Sequence, residues 1–224
     1  MISRATRAMR AQRAGQRTGQ ALVLLAMAGI CFGCGASRPV KYYVLDAEAG
    51  RPAPMTNTSA KYPTTILVAR IASSHLYHDD RLVYGAGPVE LGTYEYQRWA
   101  EPPAEMVQDM LVSSLRSTGQ YRSVSPIGSN LKGEYILRGR LYAVDEVDNP
   151  AITARFSIGL ELFDTKTGAT VWTNSYSHDE PVNGKTVPDV VQALDQNVRT
   201  GLAQLAASLG EYFASHPPQP QSAQ

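Results

Sequence analysis

Residues 154–164 read Ala-Arg-Phe-Ser-Ile-Gly-Leu-Glu-Leu-Phe-Asp, and their alternation decides the fold. Phe156, Ile158, Leu160 and Leu162 fall on one side of an extended chain; Arg155, Ser157, Gly159 and Glu161 fall on the other. Such a strand buries one face and wets the other. Asp164-Thr165-Lys166-Thr167-Gly168 has the composition of a hairpin loop, and Ala169 to Ser177 reads as the return strand. Upstream, Tyr135 to Val147 is a further long strand. These strands form an apolar wall that something must cover.

Two segments have the helical period needed to cover it. Pro102-Pro103 opens the first, since proline is tolerated where the N–H groups lack intrahelical partners. Met106, Val107, Met110, Leu111 and Leu115 make its apolar stripe, and Gly119 ends it. The second starts at Thr186, with Asp189 three residues on in capping-box position. Its stripe is Val187, Val190, Val191, Leu194, Val198, Leu202, Leu205, Leu209 and Phe213. The remaining strands are expected at 41–45, at 64–71 as a doubly buried central strand, and at 121–126. Residues 81–84 and 89–99 pair as a hairpin across Gly85-Ala86-Gly87-Pro88. Residues 46–62 read as a loop. The fold expected is α/β: a two-layer sandwich of a mixed, mainly antiparallel sheet with two helices packed on one face.

The front of the chain is of another kind. Arg4, Arg7, Arg10, Arg13 and Arg17 precede the apolar run 21–33, with no acidic residue before Cys34. Thirteen residues of helix rise about 20 Å, short of a roughly 30 Å hydrocarbon core. The segment therefore reads as a secretory signal over residues 1–33, cut after the small Gly33, with Cys34 as the site of lipid attachment. The alternative is an ordinary cleaved signal that leaves Cys34 in a soluble chain. Residues 34–40 are a tether, residues 41–214 one domain, and residues 215–224 a Pro- and Gln-rich disordered tail. Cleavage removes Cys31, so no disulfide framework remains. Gly35 in place of Asp after the Cys favours the outer membrane over the inner, with the domain facing the periplasm.

The leader holds five of the 21 basic residues and none of the 20 acidic ones, leaving 16 against 20, a balance of −4. A mildly acidic body argues against nucleic acid as a partner. Four clusters were candidates for chemistry. His75, His78, Asp79 and Asp80 lack a recognised metal-ligand spacing. His178-Asp179-Glu180 reads as an exposed loop. Ser113-Ser114 lacks a nucleophile elbow. Gly85, Gly87 and Gly92 read as turn glycines rather than a phosphate cradle. No catalytic residue, metal site or cofactor is expected.

Residues 81–106 carry a more specific signal. Tyr94-Glu95-Tyr96-Gln97-Arg98-Trp99-Ala100-Glu101-Pro102-Pro103 resembles the signature of the ABC-type transport auxiliary lipoproteins, the family that includes the lipoprotein of the paraquat-inducible system. Tyr42-Tyr43-Val44-Leu45, Tyr121-Arg122-Ser123-Val124 and Gly139-Arg140-Leu141 support it. The resemblance implies a non-catalytic accessory lipoprotein that works beside an ABC transporter and docks to an MCE-domain protein moving lipid across the envelope. Tyr94, Tyr96, Arg98 and Trp99 are the expected partner contacts, an aromatic and arginine mixture enriched at interfaces. The other reading of the rings is as packing between sheet and helices. Two other functions fit a small α/β body on a tether: a regulator of outer-membrane assembly or of cell-wall synthases, and an envelope hydrolase needing an essential His or Ser.

Overall fold

The computed structural model describes residues 38–45, 59–87 and 89–218. The signal segment, Cys34 and most of the 46–62 loop lie outside the described residues. The strands are β1 (Lys41–Tyr43), β2 (Tyr62–Val68), β3 (Ala72–Ser73), β4 (Arg81–Gly85), β5 (Leu91–Trp99), β6 (Tyr121–Pro126), β7 (Tyr135–Asp148), β8 (Ile152–Asp164) and β9 (Ala169–Pro181). The helices are α1 (Pro103–Ser117) and α2 (Val187–Ser215).

The long antiparallel ladders β7–β8 and β8–β9 organise the sheet. The opposite edge of β7 is shared in turn by three parallel strands: β2 against Tyr135–Leu137, β3 against Arg140–Leu141, and β4 against Asp145–Val147. The sheet thus forks, with β2–β6 as one branch and β4–β5–β1 as the other. The apolar run at 64–71 accordingly ends as a strand at Val68. The chain steps along β7, and Ile71 enters the core between strands.

Phe156, Ile158, Leu160 and Leu162 are fully buried beneath the helices, as the alternation requires. Both helices belong to one core; α2 lies on β8 and β9, and α1 packs against α2 and β6. Gly201 lets α2 approach β9 closely, since a Cβ there meets the Tyr176 ring at 2.5 Å. The Asp189 carboxylate accepts from the Thr186 N–H at 2.9 Å and from its hydroxyl at 2.7 Å, which starts α2 and holds the Asp189 pKa below the usual range. At the other end, Phe213 is sealed by the rings of Tyr62, Tyr121 and Tyr135, with centroids 5.1–5.6 Å away.

One polar stretch expected as loop is strand instead. β9 runs on through His178-Asp179-Glu180. Arg155 on β8 holds Asp179 through two bonds, at 2.9 and 3.1 Å. Buried Asn197 of α2 donates to the Ala154 and His178 carbonyls, at 2.8 and 2.9 Å, and accepts from the Tyr176 hydroxyl at 2.8 Å. Those bonds offset the low strand propensity of Asp and Glu.

Candidate docking surface on the β4–β5 hairpin

The signature segment forms β5 and the start of α1. In β5, Thr93 pairs with Val83 and Arg98 with Arg81, so five steps along β5 match two along β4. Strict alternation puts Tyr94 and Arg98 on one face; the irregularity sends them to opposite faces. Tyr94 turns toward the core, where its hydroxyl donates to the Glu146 carboxylate at 2.9 Å and its ring lies 4.8 Å from that of Tyr84. Burial, then the bond to Glu146, raises the Tyr94 pKa and keeps the phenol protonated. Gly92 leaves room for the Tyr84 ring, which a Cβ there meets at 2.9 Å.

Trp99 is 1% exposed and belongs to the core. It therefore cannot touch a partner, which corrects one expected contact; its bulk is the base on which the segment rests. Its backbone N–H donates to the Asp80 carbonyl at 2.6 Å, fixing the end of β5.

Arg98 stays at the surface, 26% exposed, with its guanidinium 2.6 Å from Asp80. The hairpin register sets Arg81 directly opposite Arg98. Asp80 on Arg98 and Asp79 near Arg81, at 3.8 Å, supply the opposing charge. The carboxylates of the His75–Asp80 segment thus serve as counter-ions to two guanidiniums. A backbone N–H from Asp80 is the first cause holding the Asp79 pKa low. Among the described residues no group of three or more His, Cys, Asp or Glu could hold a metal.

Beside Arg98 runs β1, parallel to β5 and pairing Lys41 with Gln97, Tyr42 with Arg98, and Tyr43 with Trp99. Tyr43 faces inward and donates to the Gln97 amide oxygen at 2.8 Å. Tyr42 faces out next to Arg98 and is 63% exposed. Tyr96, partly buried, lies two residues before Arg98. Sequence reasoning missed Tyr42 as part of this surface, because only the parallel β1–β5 pairing brings it there.

It also missed a buried polar pair on the back of the sheet. Residues 75–77 form a 3-10 turn, not plain loop, and drop Tyr77 into the interior. The Tyr77 hydroxyl donates to Asp145 at 3.0 Å. Burial is the main cause raising the Asp145 pKa, opposed by Tyr77 and Arg155. The signal available was the Tyr between two His in 75–78, and it named no partner.

The family model for the ABC-type transport auxiliary lipoprotein component matches residues 43–208. The chain belongs to that family. Its fold resembles protein XCC0632 from Xanthomonas campestris, a DUF330 member: 17% identity, TM-score 0.68, covering 79% of this chain and 98% of that one. A second, uncharacterised protein gives 16% identity and TM-score 0.59 over 77% of this chain and 99% of the other. No curated protein matches the sequence. Among the described residues no helix is long and apolar enough to cross a membrane.

Proposed function

We propose that this auxiliary lipoprotein is held to the outer membrane through acylated Cys34 and docks, without catalysis, to the MCE-domain component of an ABC-type lipid transport system. The observation that carries the reading is the family match over most of the folded body. The surface chemistry supports it. Exposed Tyr42 lies beside Arg98, whose guanidinium is tethered to Asp80 and partly exposed, and half-buried Tyr96 is two residues away in β5. Aromatic and arginine side chains are the residues most often found to dominate binding energy. Tyr94 and Trp99 hold the strand in place from the core side. The carboxylates at 79–80 are engaged with arginine.

The test is co-purification from detergent-solubilised membranes. The wild-type chain is expected to bring down an MCE-domain protein and the ABC transporter subunits, and Arg98→Glu to lose them while keeping a wild-type melting profile. Recovery of the same partners at the same yield with Arg98→Glu removes the docking surface. Partners drawn instead from cell-wall synthesis overturn the transport reading.

A further inference from the structure

The edge of β1 turned away from β5 faces a groove with no part in the surface just described. The Ala100 N–H donates to the Tyr43 carbonyl at 2.7 Å, so the Tyr43 main chain points toward β5. Successive residues of a strand turn their N–H and carbonyl groups to opposite edges, which sends those of Tyr42 outward. Among the described residues no hydrogen bond reaches the main chain of Tyr42 or Val44. The outer side of β1 is therefore an open sheet edge, a template for one more strand.

Across the groove stands the first half of α2. Pro188, Val191, Gln192, Asp195, Gln196 and Arg199 recur at three- and four-residue steps and make one continuous helix face. With Tyr42, Val44 and the Glu180–Pro181 end of β9 they line a space of about 840 Å³. An open strand edge opposite a helix takes an extended chain, which bonds to the edge through its own main chain and sets alternate side chains against the helix. A helical partner cannot use the Tyr42 main chain, because its own N–H and carbonyl groups are bonded to one another. Charge narrows the occupant further. The lining carries three carboxylates, Glu180, Asp189 and Asp195, against one guanidinium, Arg199, which Asp195 already holds at 2.9 Å. Exposed Lys41 and Lys185 are not among the lining residues.

We infer that β1 takes an extended, basic segment of a partner protein as an added strand in the groove between β1 and α2. The groove opens on the edge of β1 opposite the β5 side, so the inference stands apart from the Arg98 surface and from the transport reading.

The test uses the full-length protein in detergent micelles and begins with amide hydrogen exchange read by NMR. The Tyr42 N–H is expected to exchange about tenfold or more faster than the Tyr43 N–H, which β5 protects. A Tyr42 N–H that is already slow means that the protein's own chain covers the edge, or a second copy does when the slowing grows with concentration; either overturns the inference. A random twelve-residue peptide library on phage is then selected against the protein, with Gln192→Trp, which fills the groove from an exposed position of α2, as the counter-selection. The selected peptides are expected to be rich in Lys and Arg and to slow exchange at Tyr42. They are expected to bind Gln192→Trp about tenfold more weakly at an unchanged melting temperature. Each peptide is also made with its alternate amides N-methylated, in the two possible phases. One phase is expected to weaken binding about tenfold or more and the other to leave it within about twofold, because only one edge of an added strand bonds to β1. Equal loss in both phases overturns the inference, since side chains then make the contact. Selection of acidic peptides, or of none that depends on the groove, overturns it as well.

Discussion

The β7–β8–β9 meander with α2 and the wing formed by β1, β4 and β5 are built on different principles. The meander is held by long continuous ladders and by Phe156, Ile158, Leu160 and Leu162, all fully buried. The wing has short ladders, with three residue pairs between β1 and β5. Over buried Leu82, Val83 and Trp99, discrete polar bonds position its side chains: Arg98 to Asp80, Tyr94 to Glu146, Tyr77 to Asp145. Apolar burial has no direction and rewards any well-filled core, whereas each bond of the wing fixes one side chain in one place. The difference separates the part that makes the molecule fold from the part that presents a surface. The segment 94–103 that resembles the family's signature starts in the second.

Truncating the meander is expected to have the largest effect. Phe156→Ala costs about 3–5 kcal/mol, read from the shift of a urea unfolding midpoint. Trp99→Ala is expected in the same range. That outcome sharpens the comparison, since it makes Trp99 a signature residue that behaves like the meander; a loss under about 1 kcal/mol places it outside the core.

Asn197→Ala probes the seam between α2 and the polar end of β9. It leaves two strand carbonyls and the Tyr176 hydroxyl without their partner, a loss of about 1–3 kcal/mol by the same measurement. A neutral result means that water replaces the amide and that the β8–β9 ladder with the Arg155–Asp179 pair suffices to hold the 178–180 stretch.

Asp145→Asn has a smaller, pH-dependent effect. The folded-state pKa of Asp145 is raised, so its contribution is favourable below the unfolded carboxylate range and is lost as pH rises through the raised value. The amide keeps an acceptor for Tyr77 and carries no charge to bury. The variant is expected to match wild type at low pH and to gain on it toward pH 8. A variant that loses ground as pH rises means that Arg155 outweighs the burial.

Arg98→Ala is expected to change stability by under about 1 kcal/mol, because the Asp80 pair is partly exposed. The same substitution is expected to abolish partner recovery. Large destabilisation by Arg98→Ala would erase the distinction between wing and meander.

Most of the scaffold was legible because it rests on period. The alternation at 154–164 and the stripe from Val190 to Phe213 state which side is buried without reference to any other segment. Thr186 and Asp189 marked the start of α2 by local chemistry alone. The 178–180 extension of β9 was not legible, because Asp and Glu are placed there by Arg155 and Asn197, distant in sequence. The candidate surface was half legible. The signature named the strand, but the register irregularity between Thr93 and Arg98 decides which of its residues face inward, and Tyr42 joins only through a parallel pairing that no local pattern encodes. Cys34 was read from the leader and lies outside the described residues.

The most direct check on the central claim is capture of the full-length protein from solubilised envelopes, with identification of what comes with it. The account predicts an MCE-domain protein together with ABC transporter subunits in the wild-type eluate and their loss with Arg98→Glu. A wild-type eluate holding neither component, from a protein confirmed to be folded and acylated, contradicts it.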